Sequence, residues 1–190
     1  MYQFKELSGL TLTTTIALWG YSAIKLLLAL SEVLDFGAGI VGPVAIISVV
    51  AFLLTAILFA CWTYRASANA HVIADGLSIS AGWAVGWYFV PVMSLFQPYV
   101  AMKETWLASK YGSNWGDAEV TGLLPFWWVT WLVSGFMGYG ILFVSPNPAL
   151  LGDLTLVAAL FTLTATFALT RVMAQVREGQ RITRHAEVFA

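Results

Sequence analysis

Between Asp35 and Arg65 the chain runs 29 residues without a charged side chain, and between Glu119 and Asp153 another 33. Stretches this long with nothing that requires water have few homes. About 20 apolar residues, rising 1.5 Å each, cover a hydrocarbon core of ~30 Å, and only helices or closed barrels satisfy their own backbones there. Composition points the same way: 59% of the 190 residues are hydrophobic and 10% charged, against roughly a quarter charged in soluble domains, and the mean hydropathy is +0.80. The chain reads as an all-α integral membrane protein forming one membrane domain, residues 1–190.

Taken in order, the first span is expected over residues 10–30. Its Thr13, Thr14 and Thr15 hydroxyls can bond to the preceding turn, so they are compatible with lipid. MYQFKELSGL lacks a basic n-region, which makes this first run a retained helix and not a signal peptide. A link carrying Glu32 and Asp35, with Gly37 and Gly39 as turn residues, leads to a second span over 40–62. Its helix is expected to continue through TYRASANAHVIAD to a loop at 74–80, with Gly76 as C-cap. Two further spans are expected over 123–143 and 154–170, joined by VSPNPALLGD and followed by a basic tail over 171–190. Residues 103–122 read as a polar, glycine-containing connection.

The run over 81–102 has the length of a span, but Pro91 and Pro98 would each remove a helical hydrogen bond within it. It is either a kinked fifth crossing or a re-entrant segment that enters and leaves by one face. Charge counting favours the second. With four spans, Lys5, Arg65, Lys103, Lys110, Arg171, Arg177, Arg181 and Arg184 all fall on the cytoplasmic side, eight against none; the best five-span arrangement gives six against two. Both termini are then cytoplasmic. Eight tryptophans, Trp62, Trp83, Trp87, Trp106, Trp115, Trp127, Trp128 and Trp131, would form a belt at that face.

The stretch around this run resembles a known family. Trp62, Tyr64, Arg65, Ala66 and Asn69 close the second span, Gly82-Trp83 and Gly86-Trp87 open the run, and Pro91, Leu95 and Pro98-Tyr99 lead to Trp106. In this order they resemble the bacterial membrane family called domain of unknown function 4328, over residues 50–145. The resemblance implies a polytopic architecture and a bacterial cytoplasmic membrane, and brings no activity with it. Phe96-Gln97 departs from the pattern, which has an aromatic and a basic residue there, so the charge an anion site would need is missing at Gln97.

Several side chains are candidates for more than packing. Lys25 is the one cation well inside a span; its stem is long enough to snorkel toward Glu32 or Asp35, and the alternative is a transport or proton role. Arg65 and Asn69 lie one helical turn apart and suit an inner-leaflet anchor, a brace for the broken run, or a ligand contact. Gly82 with Gly86, and Ser134 with Gly138, have the small-xxx-small spacing that lets helices approach. Arg177, Arg181 and Arg184 form one basic helical face suited to an anionic leaflet or a docking partner.

Catalytic chemistry finds little support. His71 and His185 fall outside the spans, which leaves no axial ligands for a haem at membrane depth, and a single cysteine, Cys61, makes neither a disulfide nor a metal cluster. There is no HExxH motif, phosphate loop or carboxylate pair at membrane depth, and no base to serve Ser134. No cofactor, metal or nucleic acid is expected. Two functions remain: a non-catalytic accessory or scaffold subunit that packs in a larger membrane assembly or with itself, or a small transporter or channel lined by 81–102 with Lys25, Arg65 and Gln97. A lipid-modifying enzyme has only the basic inner face in its favour.

Overall fold

The computed structural model describes residues 2–34, 36, 38–141 and 148–188, and every regular element among them is helical. Six α-helices follow in order: α1 Ser8–Val33, α2 Ala38–Ile73, α3 Ala81–Gly86, α4 Gln97–Tyr111, α5 Leu123–Ile141 and α6 Pro148–Val188. Three of them are long and apolar enough to cross a membrane, over Ser8–Val33, Val41–Ile73 and Leu151–Thr183; the apolar part of α5, Leu123–Gly138, is shorter. The protein is thus a helical membrane protein. Asp35 and Gly37, expected in the first link, lie outside the described residues.

Polar side chains give the register of the long helices. Trp62 Nε1 donates to Thr11 Oγ1 at 2.9 Å, Thr14 Oγ1 to the Leu58 carbonyl at 3.4 Å and Thr55 Oγ1 to the Ala17 carbonyl at 3.2 Å, so α1 and α2 run antiparallel. Thr13 bonds its own preceding turn as expected, but Thr14 reaches across to α2. Ser22 and Thr166 hydroxyls meet at 2.7 Å, and Val33 packs where Gly152 leaves room, setting α1 antiparallel to α6. Ser134 of α5 reaches Thr162 of α6 at 2.7 Å. Lipid offers helices no hydrophobic drive to associate, so such bonds and close contacts carry the pairing there.

As a result, the N-terminal segment, the last turns of α2, all of α4, the first turns of α5 and the second half of α6 meet at one end. The core sits there: Trp62, Met102, Trp106, Leu124, Trp127, Val172, Met173 and Val176 are all but fully buried. The midsection of α2 is the opposite, with Ile46, Val49, Val50, Phe52, Leu53, Leu54 and Ile57 all exposed, as a lipid-facing helix requires.

The middle of the chain differs most from expectation. Residues 81–102 do not make the single kinked helix that a fifth crossing needs. α3 stops after six residues, short 3-10 turns occupy 87–89 and 93–95, and Val92, after Pro91, has φ +66°. Pro98 breaks nothing, because it stands in the first turn of α4, where its missing N–H has no partner to lose. Residues 103–111 are helix and not connection, and the helix is enclosed on nearly every side: Ala101, Met102 and all six residues from Glu104 to Ser109 are buried. α6 likewise begins at Pro148, six residues before the expected start, with proline at the position it favours. α2 ends at Ile73, and Gly76, expected as its C-cap, takes the left-handed conformation (φ +81°) three residues beyond the helix end.

Where α4 crosses α6 the backbones all but touch. A Cβ on Gly179 would lie within 2.4 Å of the Ser109 carbonyl oxygen, which belongs to backbone and cannot swing away. Gly179→Ala is expected to destabilise the protein by about 1–3 kcal/mol and lower its melting temperature in mild detergent. Gly138→Ala, where a Cβ meets open space, is expected to leave melting unchanged or raise it slightly.

Candidate functional site

The packed end contains a buried polar network that begins with small residues. Ala66, Ser67 and Ala70 flank Asn69 on α2 and let the N-terminal segment and α4 approach closely, and all four are buried. The Lys5 N–H donates to Asn69 Oδ1 at 2.9 Å, so the Asn69 amide group must turn its Nδ2 the other way, to the Lys5 carbonyl at 2.7 Å and Gln180 Oε1 at 2.8 Å. Gln180 is oriented in turn: its Nε2 donates to the Ala66 carbonyl and to Ser109 Oγ, both at 2.9 Å, and Ser109 donates to the Thr105 carbonyl at 2.6 Å. Every amide proton in the chain of bonds is used. Asn69 thereby pairs with Lys5 as a second peptide would, and joins the N-terminal segment to α2, α4 and α6.

Neighbouring bonds close the rest of this end. Glu104, 8% exposed, accepts from the Ser78 N–H at 2.9 Å, Ser78 Oγ at 2.5 Å and the Ile79 N–H at 3.3 Å, so its carboxylate fastens the loop before α3. His71 Nε2 lies 3.0 Å from the Ile79 carbonyl, and its ring stacks on Tyr2. Trp115 Nε1 donates to the Asp75 carbonyl, and Trp128 Nε1 to the Leu95 carbonyl at 3.2 Å. The irregular run 87–96 is thus held at its base.

The residues singled out in the sequence divide sharply. Asn69 and Trp106 are interior, with Trp106 Nε1 donating to Gln175 Oε1 at 2.8 Å. Arg65, a turn from Asn69, is half-buried and takes no part in the network. Trp83 and Trp87 pack with centroids 4.6 Å apart and line a shallow cleft of roughly 390 Å³ with Ser78, Ile79, Ser80 and Gln97. Pro91 is exposed and Pro98 buried. Gly82 faces open space, and a Cβ on Gly86 would meet the ring of Trp83 at 3.0 Å, so this pair makes room for an indole and not for a second helix. Ser134 does pack on α6, whereas Gly138 has nothing near it. The tight helix contacts fall instead at Gly152 and Gly179.

Among the described residues the one ion pair joins Arg181 to Glu178, with Arg181 Nε at 3.0 Å and Nη2 at 2.7 Å from the two carboxylate oxygens. Lys25 is half-buried and makes no ion pair with Glu32. Arg177 is exposed; the side chain of Arg184 lies outside the described residues. Half of the expected tryptophan belt is interior, because Trp62, Trp106, Trp127 and Trp128 fill the core, whereas Trp83 and Trp131 are exposed. Gln180, Ser109 and Glu104 were not singled out by sequence. Their signal was weak: a glutamine in a basic tail, and a serine and a glutamate in a polar segment.

Removing the Glu104 carboxylate leaves two backbone donors of the 78–79 loop without their acceptor, a loss of about 1–3 kcal/mol for groups bonded to a charge. Glu104→Ala is expected to speed hydrogen exchange at Ser78 and Ile79 by tenfold or more and to open residues 74–80 to protease. Unchanged protection would mean that the carboxylate does not hold the loop.

The match to known proteins is at the level of the family. A family model described as domain of unknown function (DUF4328) matches residues 27–181. No curated protein and no solved structure matches the chain at a significant level. The matched region takes in the end of α1, the whole of α2 through α5 and α6 as far as Arg181, and so includes Asn69, Glu104, Ser109 and Gln180. This chain belongs to the DUF4328 family.

Proposed function

We propose that the protein is a non-catalytic accessory or scaffold subunit of a bacterial cytoplasmic membrane, which packs in a larger membrane assembly or with a second copy of itself. In this reading α1, α2, α5 and α6 cross the bilayer, both termini are cytoplasmic, and residues 81–102 enter and leave at the inner face. The charge distribution supports it, together with the meeting of the N-terminal segment, the end of α2, the start of α5 and the end of α6 at one end of the bundle.

One observation carries the reading. On α3 and the irregular run after it, Trp83, Phe89, Val92, Met93 and Phe96 are exposed, with Phe89 at 80%, while hydrogen bonds to Glu104, His71 and Trp128 fix the base beneath them. A rigid segment that displays large apolar side chains is suited to burial against another surface, and aromatic residues dominate such contacts. The transporter reading has a narrower basis: Gln97 shares a cleft with Trp83 and Trp87, but neither Lys25 nor Arg65 lines it.

Gentle purification followed by mass spectrometry tests the accessory reading. A stoichiometric membrane-protein partner or a stable homo-oligomer is expected, and Phe89→Ser with Phe96→Ser is expected to reduce that association at least tenfold without altering the melting temperature. A monomer with no partner that carries solute across liposomes would replace this reading with the transporter. The topology has a separate test: a reporter fused at Asn114 is expected to be cytoplasmic, and a periplasmic result would contradict the four-span arrangement.

A further inference from the structure

Beside the crossing of α4 and α6 lies a cleft of about 630 Å³, lined by Lys110 from α4 and by Arg171, Ala174, Gln175, Arg177, Glu178 and their neighbours on α6. Its polar groups are almost all donors. Lys110 Nζ lies 4.7 Å from the centroid of the Trp106 ring, and Arg171 lies over the ring of Phe167 at 5.2 Å. Neither they nor Arg177 pairs with a carboxylate among the described residues. Glu178 is already committed, both its oxygens taken by Arg181. An indole nitrogen can only donate, so the bond from Trp106 requires Gln175 to offer its Oε1 inward and leaves the Gln175 Nε2 protons free. Three cations and an amide donor thus line one cleft, and among the described residues no free carboxylate lines it with them.

We propose that this cleft binds the phosphate of an anionic glycerophospholipid. Guanidinium, ammonium and amide donors together match phosphate oxygens, and the volume accommodates a headgroup and not only a bare ion. The lipid source is favoured by position. Arg171 is the first charged residue of α6 after Asp153, directly beyond exposed Leu160 and Phe167, so the cleft opens where the apolar surface of the helix ends, at headgroup depth for a helix that crosses. The site is bounded and stoichiometric, unlike the diffuse attraction of a basic tail, and Arg181 contributes only by occupying Glu178. It rests on the membrane character of the protein and is independent of an accessory role.

The test uses the full chain in neutral nanodiscs containing a small fraction of phosphatidylglycerol, with bound lipid read by native mass spectrometry. The wild type is expected to retain one phosphatidylglycerol per chain in preference to phosphatidylcholine. Gln175→Glu keeps an oxygen for Trp106 while replacing the donors with negative charge, and is expected to weaken retention at least tenfold with the melting temperature preserved; Arg171→Gln should do the same. Lys103→Gln, a cation on α4 outside the cleft, is expected to bind as wild type. No preference for phosphatidylglycerol, or equal retention by Gln175→Glu, would overturn the site. Displacement of the lipid by millimolar glycerol phosphate would assign the cleft to a soluble phosphorylated ligand and overturn the lipid assignment.

Discussion

The hydrogen bond from Asn69 to Gln180 is the interaction on which this fold turns. It joins two helices that are 111 positions apart in the chain at a point where neither amide touches water. Each amide is oriented by its other partners, the backbone of Lys5 on one side and Ala66 with Ser109 on the other. Leaving a buried amide without partners costs about 1–3 kcal/mol, so the network is stable only when complete and thereby selects one arrangement of four segments. Gly179 makes the geometry possible by letting α4 approach α6 at backbone distance.

The molecule has two physical regimes as a consequence. Along their apolar lengths the three helices long enough to cross a membrane, α1, α2 and α6, pair through isolated hydroxyl bonds and expose aliphatic side chains, as expected where lipid competes equally for apolar contact. At the packed end, tryptophans and small residues form a dense core whose polar atoms are mostly paired, although Thr63 Oγ1, Tyr88 Oη and Trp127 Nε1 are buried there without a partner. α6 belongs to both regimes and packs on α1, α2, α4 and α5. The broken run, with its exposed Phe89 and Phe96, is displayed from the packed end, which gives a loop-like segment a fixed base.

Much of this was legible in the residues. Uncharged runs located the long helices, because no soluble core accounts for 29 residues without a charge beside another 33, and Pro91 marked the break in 81–102. α4 was hidden because Lys103, Glu104 and Lys110 give it a polar composition, although the buried Ala101, Thr105 and Ala108 keep helical spacing. Gln180 was hidden for a different reason. Its neighbours Arg177, Arg181 and Arg184 suggest a solvated helix, and its burial depends on an approach that only the neighbouring glycine permits. Asn69 stood out in the sequence as a partner of Arg65 on one helical face, but its actual partners come from both ends of the chain, a long-range pairing that local spacing does not encode.

A double-mutant cycle on Asn69→Ala and Gln180→Ala, read from unfolding in mild detergent, tests this account most directly. If the two amides form one network, each single substitution strands the other's buried groups, and the double substitution costs less than the sum of the two, with a coupling energy of about 1–3 kcal/mol. Additive effects within about 0.5 kcal/mol would contradict the account and leave the packed end held by its tryptophans alone.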